Sequence, residues 1–252
     1  MAKWLRPPSI IESLPFKDSE EMERWNGRVA LVTGAVDKIR AIAEEDEVKA
    51  APGKLVAIKC DLTKESEILS LFDEIRRTFG RLDVCINNAG LGFDMPLLTA
   101  TTSGMRNILD VNVLALCICT QQAVKLMQEK GVDDGQIIHI SSVGGHFMPT
   151  IGLMGAHFYC STKFMVRALT EGLRKELKAL NSHIRIASLS PGLVDTEFFN
   201  NYFKEDPSVI SSGLFGNIKA LETKDMADSV IHILKAPPHV EIHDIIVRPY
   251  DL

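Results

Sequence analysis

Tyr159 and Lys163 stand four positions apart, at the start of a stretch whose apolar residues recur at helical spacing through Leu169, Leu173, Leu177 and Leu180. Both side chains therefore project from one helix face and can approach each other. An ammonium beside a phenol favours the phenolate and lowers a pKa that is about 10 in the free side chain. A phenol tuned in this way can give or take a proton near neutral pH. Most Tyr-x-x-x-Lys pairs are ordinary surface neighbours, so this pair gains meaning only from its surroundings. Three predicted strand ends supply them: Asn87-Asn88-Ala89-Gly90, Ser141-Ser142-Val143-Gly144-Gly145 and Ser190-Pro191-Gly192. In open α/β sheets ligands bind beyond the carboxyl ends of the strands, so polar and glycine residues gathered there mark a cleft.

The elements that must position these residues follow from periodicity. Short runs rich in Val and Ile predict strands at 28–33, 54–60, 82–87, 136–141, 184–189 and 241–248. Between them lie helical patterns such as Ile68, Phe72, Ile75 and Phe79, stopped by Gly80. Alternating apolar runs and amphipathic helices predict an α/β fold: a Rossmann-like, doubly wound, mostly parallel sheet of about six strands. Residues 1–24, with three prolines and an acidic run, are expected as an exposed extension, leaving one domain over 25–252. The long insertion 193–216 carries five of the 16 aromatic residues (Phe198, Phe199, Tyr202, Phe203 and Phe215) and is expected to form an apolar lid. An extra helix capping the core is the plainer alternative.

Composition narrows the function. With 33 acidic against 28 basic side chains in 252 residues, the formal charge is −5, which argues against nucleic-acid binding. The apolar fraction of 46% is that of a chain with a full core. Five cysteines, odd in number and set mostly in apolar runs, point to a reducing compartment, and no apolar leader or membrane-length run is present, so a cytoplasmic protein is expected. His239 and His243 are four apart, but on a strand and its approach with no third ligand evident, so no metal site is expected.

The combination Asn-Asn-Ala-Gly, then Ile-Ser-Ser, then Tyr-x-x-x-Lys, then Ser-Pro-Gly with Thr196 four residues after Gly192, resembles the short-chain dehydrogenase/reductase family from Arg28 to the C-terminus. Met22-Glu23-Arg24-Trp25 and the run from His239 to Asp244 are similar to the subgroup of member eleven of the dehydrogenase/reductase group and the insect farnesol dehydrogenases. The resemblance implies an oxidoreductase that transfers hydride between NAD(H) or NADP(H) and an alcohol or carbonyl. It implies Tyr159 as acid/base, Lys163 as the residue that lowers its pKa and binds the nicotinamide ribose, Ser142 as holder of the substrate oxygen, and Asn112 as support for a proton-relay water. Cofactor contacts would come from Thr33, Gly34, Asp61, Leu62, Asn88, Ala89, Gly90, Pro191, Gly192, Val194 and Thr196, besides Tyr159 and Lys163. The aromatic lid favours an apolar substrate such as a steroid, retinoid or isoprenoid. The helices carrying Asn112 and Tyr159 commonly form the family's subunit interface, so a homo-oligomer is expected. The plainer roles for Ser142 and Asn112 are turn capping and a helix polar contact. The sixteen residues between Ser142 and Tyr159 exceed the family's usual spacing, so the loop between them should bulge.

One part of the pattern is missing. A dinucleotide pyrophosphate needs a glycine turn after the first strand, leading into a helix N-terminus. Thr33-Gly34-Ala35 begins that turn, but no further glycine occurs before Gly53. From Gly34 to Asp61 there is space for one helix and one strand where the family has two of each, as though one βα unit had been excised between Ala35 and Val36. The acidic run from Asp37 to Glu47 would repel phosphates. Removal of a central strand should also draw 54–60 into the vacated place, which could bring Asp61 near the ribose. Two readings remain open: an active oxidoreductase, or an inactive variant that acts through oligomer contacts, pairing with full-length subunits.

Overall fold

The computed structural model describes residues 20–34, 36–148, 154–204, 208 and 218–251. Five parallel strands form one sheet in sequential order: β1 (Ala30–Val32), β2 (Val84–Asn87), β3 (Gln136–Ile140), β4 (Arg185–Pro191) and β5 (Asp244–Val247). The register pairs Val84 with Gln136 and Gln136 with Arg185. All the strands therefore end together on the side where Asn87, Ile140 and Pro191 lie.

Side chains alternate across a strand, so each strand feeds two cores. Cys85, Ile137 and Ile186 point to one face, against α3 (Glu65–Phe79) and α5 (Leu116–Glu129), which contribute Ile68, Phe72, Ile75, Ala123 and Leu126. Val84, Ile86, Ile138 and Ala187 point to the other, against Met226, Val230 and Ile233 of α8 (Thr223–Lys235). Each fully buried Ile or Phe contributes roughly 1.5–3 kcal/mol relative to an exposed one. Helix α3 stops where Gly80 takes the left-handed conformation with φ 72°, which its lack of a Cβ permits. Helix α4 (Thr102–Leu109) runs through a π-turn (Asp110–Ala115) into α5. This stretch is long and apolar enough to cross a membrane by composition, but its Cys119, Ala123 and Leu126 are packed in the core.

Residues 54–60 do not form the expected strand, and among the described residues they join no ladder. A central parallel strand must be buried on both faces, whereas Lys54, Val56 and Lys59 are exposed. The segment is divided between two clusters instead. Leu55 and Ala57 pack with Ile39 and Ile42 of α1 (Val36–Ala43) and Val48 of α2 (Asp46–Ala50), while Ile58 and Cys60 lean on the main core. β1 is left as the sheet edge, only three residues long.

At the other end of the chain's first segment, Glu20–Glu23 forms one helical turn, and the Trp25 indole donates to the Leu234 carbonyl at 2.9 Å. Residues 1–19, the acidic side chains at 37 and 47, and the expected lid over 205–207 and 209–216 lie outside the described residues, as does the middle of the bulge, 149–153.

Asp83 fixes where β1 and β2 start. Its carboxylate is fully buried and accepts from Arg28 Nη1 at 2.7 Å, Arg81 Nη2 at 2.6 Å and the Val29 amide at 3.0 Å. Burial raises its pKa, but the two guanidiniums and the amide outweigh burial and hold it below the usual carboxylate range. A depressed carboxylate pKa stabilises the fold above the unfolded value of about 4, and that stabilisation is lost as pH falls through the folded value. We predict that Asp83→Ala costs about 1–3 kcal/mol in urea unfolding at pH 7, because it leaves the Val29 amide without its acceptor and removes the carboxylate that Arg28 and Arg81 share. In the same assay Asp83→Asn should flatten the loss of stability below pH 4. An unaltered acid limb would show that Asp83 is not the group responsible.

Candidate active site

Helix α6 (His157–Ala179) carries Tyr159 in its first turn and Lys163 one turn on. Lys163 is 4% exposed, and its ammonium donates to the carbonyl of Ile140, the last residue of β3, at 2.9 Å. Its Nζ lies 5.7 Å from the centre of the Tyr159 ring. Ser142 lies two residues after the end of β3. Its hydroxyl accepts from the Gly144 amide at 3.0 Å, is directed at the Pro191 carbonyl at 3.4 Å, and hydrogen-bonds with the Tyr159 phenol.

Asn112 lies in the π-turn, a feature found often at functional sites. Its carboxamide is fully used: Oδ1 accepts from the Leu91 amide at 2.9 Å, and Nδ2 donates to the Leu91 carbonyl at 2.8 Å and to Thr162 Oγ1 at 3.1 Å. Asn112 thereby joins the loop after β2 to α6. In the same loop, a Cβ on Gly90 would come within 3.5 Å of Lys163 Nζ, so the backbone passes directly beside the ammonium.

The electrostatics differ from the expectation that Lys163 lowers the phenol. Burial dominates and holds Tyr159 above the ordinary phenol range, partly opposed by its hydrogen bond to Ser142. Burial also pushes the Lys163 ammonium down to about 8. The reason is geometric: the ammonium is turned toward the Ile140 carbonyl, not toward the phenol oxygen. Tyr159 is therefore a protonated group at neutral pH, poised as an acid.

Thr33 closes β1, and its Oγ1 accepts from the Asn88 amide at 3.1 Å and the Ala89 amide at 3.0 Å, while Asn88 Nδ2 donates to the Thr33 carbonyl. Gly34 takes φ 145°, open only to glycine. Gly192 donates to the Val247 carbonyl at 2.7 Å, and Val194 bridges to Leu221. Thr196 Oγ1 accepts from the Phe198 amide at 3.3 Å and so starts the short helix α7 (Phe198–Tyr202). Asp61 shapes the turn ahead of α3, accepting from the Thr63 amide and hydroxyl at 3.0 and 2.7 Å, which with Lys64 lowers its pKa. Leu62 leans on the main core and also lines the small space beside Thr33 and Ala89.

The reactive end of a nicotinamide dinucleotide fits this arrangement. Tyr159, Lys163, Ser142 and Asn112 converge where the backbone of Gly90 is bare. The phosphate end does not fit. Helix α1 begins two residues after Gly34, with Val36-Asp37-Lys38 where glycines would admit the pyrophosphate, and it packs into its own cluster with α2. Beside Thr33 and Ala89 the enclosed space is about 10 Å³, room for one water at most.

Helix α7 lies over the phenol. Phe198 packs on Tyr159 with ring centres 5.5 Å apart, and Tyr202 and Phe203 complete an apolar cluster with Ala156 and Cys160. A Cβ on Gly92 would meet Tyr202, Phe198 and Tyr159 at 3.0 to 3.1 Å, so the loop must be glycine there for the rings to close.

Two polar groups lay outside the sequence reading as site residues. His146 Nε2 lies 3.0 Å from Ser190 Oγ and 3.1 Å from an Asp244 oxygen, and Ser190 donates to Asp244 at 2.9 Å. This cluster fastens the turn after Ser142 to the ends of β4 and β5. His139, fully buried between Thr120 and Thr170, is held neutral, with burial lowering its pKa to about 3. The serines at 188 and 190, polar in an otherwise apolar strand, were the available signal for the first cluster.

A model of the short chain dehydrogenase family matches residues 19–207. The chain belongs to that family. Among curated relatives, the chicken dehydrogenase/reductase SDR family member 11 is 45% identical over 253 aligned positions, covering 90% of this chain and 98% of the relative. Farnesol dehydrogenase of Aedes aegypti is 34% identical, also covering 90% and 98%. Among solved structures, the closed form of a serine dehydrogenase complexed with NADP+ superimposes with a TM-score of 0.74 at 24% identity, covering 90% of this chain and 88% of that one. A metagenomic short-chain oxidoreductase in complex with NADP gives 0.67 at 25%, covering 91% and 90%. These likenesses agree with the Rossmann-like parallel sheet.

Burial of both phenols sets a measurable expectation. Tyr159 and Tyr202 are each held well above the ordinary phenol range by burial. In a phenolate absorbance titration of the folded protein, two of the three tyrosines should stay protonated past pH 10, and Tyr159→Phe should remove one of them. Ionisation of Tyr159 below pH 10 would overturn this account of its environment.

Proposed function

We propose that this short-chain dehydrogenase retains the substrate half of an oxidoreductase for small apolar alcohols or carbonyls, and lacks a competent seat for the dinucleotide pyrophosphate. The observation that carries the reading is the junction at Gly34: one glycine turn, then a helix whose first residues are Val36-Asp37-Lys38. The alignment with the chicken relative supports it. Its 253 positions use only 90% of a 252-residue chain, so about two dozen positions of the relative have no counterpart here. That is about the length of one βα unit.

A nicotinamide bound beside Tyr159 would supply hydride; the protein's own part is to handle the proton and the substrate. The protonated phenol of Tyr159 gives its proton to a carbonyl oxygen, and Ser142, already hydrogen-bonded to that phenol, holds the same oxygen. The rings of Phe198, Phe199, Tyr202 and Phe203 offer an apolar wall, which favours a steroid, retinoid or isoprenoid skeleton. The five cysteines are free, in keeping with a reducing, cytoplasmic setting.

A second reading rests on a separate observation. Leu114, Phe164, Met165 and Leu169 are large apolar side chains exposed on the helices that carry Asn112 and Tyr159. These faces suit pairing with a second copy or with a full-length subunit.

Titration of NADPH and NADH, followed by nucleotide fluorescence, tests the first reading. Neither nucleotide should saturate at micromolar concentration. Insertion between Ala35 and Val36 of a βα unit that completes the family's glycine turn should restore binding. Micromolar affinity in the unaltered chain would overturn the reading. Native mass measurement tests the second, with dimers expected and monomers alone arguing against it.

A further inference from the structure

The short turn Val143–Gly145 that follows Ser142 is seated at both ends on consecutive residues of β4. Before it, the Ser142 hydroxyl is directed at the Pro191 carbonyl at 3.4 Å; after it, the His146 ring reaches Ser190 Oγ at 3.0 Å. Within it, the Gly144 amide donates to Ser142 Oγ at 3.0 Å and the Gly145 amide to the Ser142 carbonyl at 2.9 Å. The turn lies flat on α6, because a Cβ on Gly145 would meet the Lys163 carbonyl at 2.8 Å. Phe147, next along the chain, lies under the Arg248 guanidinium at 5.1 Å. Among the described residues, the Ser142 hydroxyl meets one side chain, Tyr159, and otherwise only backbone. Its direction therefore follows the backbone of the turn.

The hydrogens in the cluster around His146 can be assigned. A carboxylate only accepts, so Ser190 spends its one hydroxyl hydrogen on Asp244 at 2.9 Å. The second Asp244 oxygen, 3.1 Å from His146 Nε2, and the Ser190 lone pairs must then be met by an N–H, so Nε2 carries hydrogen and donates to both. Serine, histidine and aspartate also make hydrolytic triads, but there the acid and the serine hold different ring nitrogens. Here both meet Nε2, so the ring cannot relay a proton between them. What this cluster fixes is a position. Ser188 and Ser190 lie on the same face of β4 as Ile186, where a purely packed contact would use another apolar side chain. A polar network that is fully satisfied in a buried place holds one arrangement more strictly than packing does.

We propose that His146 is a positioning residue: by donating to Ser190 and Asp244 it sets the turn that aims the Ser142 hydroxyl at the Tyr159 phenol. The proposal rests on the reading of Ser142 as holder of the substrate oxygen.

The test is carbon NMR of the full chain with its tyrosines labelled at Cζ, a carbon that responds to hydrogen bonding at the phenol oxygen; it needs neither nucleotide nor substrate. Tyr159→Phe assigns one of the three resonances, while exposed Tyr250 and buried Tyr202 serve as references. Ser142→Ala should displace the Tyr159 resonance. His146→Ala should displace it in the same direction by most of that amount, and His146→Gln, whose amide can donate in place of Nε2, should return it. Asp244→Asn, at a partly exposed position, weakens the same link from its other end and should give a smaller displacement of the same sign. A resonance that moves in Ser142→Ala but not in His146→Ala or Asp244→Asn would overturn the proposal alone. One that stays in place even in Ser142→Ala would overturn the serine–phenol hydrogen bond on which the earlier reading also rests. Equal movement of Tyr202 in His146→Ala would show general loosening and overturn the proposal too.

Discussion

The candidate site depends on one buried carboxamide. Asn112 uses both ends of its side chain to tie the loop after β2 to helix α6, through Leu91 and Thr162. Tyr159 and Lys163 lie on either side of Thr162, so this clamp sets their distance from the strand ends. The π-turn makes it possible, because the extra residue per turn presents Asn112 to the loop. Lys163 then completes the frame by closing onto the Ile140 carbonyl. A loop, a strand end and a helix are held together by a few hydrogen bonds, each buried and each with little freedom to trade partners for water.

Within that frame, desolvation sets the protonation states more strongly than neighbouring charge. The phenol is held high, the ammonium is brought down and His139 stays neutral, all because water is excluded by Cys160, the aromatic rings of α7 and the packed strands. Closeness of opposite chemistry along a helix does not by itself set a pKa; the direction in which the hydrogen bond is spent decides it. Here it is spent on backbone.

At the other side of the sheet the same physics explains the altered edge. β1 is short and among the described residues its outer edge takes no partner strand; the segment 54–60 exposes Lys54, Val56 and Lys59 and cannot be buried on both faces. Helices α1 and α2 gather it into a satellite cluster. The surface that a dinucleotide would cross is thus made of a helix with its own small core and no glycine cradle.

The alternation of apolar runs with amphipathic helices was legible in the sequence, and so were the strand ends at Asn88, Ser142 and Pro191, because burial on both faces demands continuous Val and Ile. The Tyr-x-x-x-Lys pair was legible from helical spacing, and the absent glycines from a simple count between Gly34 and Gly53. What sequence could not decide was register and direction. It could not place 54–60, whose β-branched residues fit a strand while its lysines did not fit a central one. Nor could it show that Asp61 would close the turn ahead of α3, that His146 would meet Asp244 from nearly a hundred residues away, or that Lys163 would turn to a carbonyl. Those outcomes depend on which distant groups share a dry volume, and hydrogen bonds and pKa values respond to that volume; spacing along the chain carries no record of it.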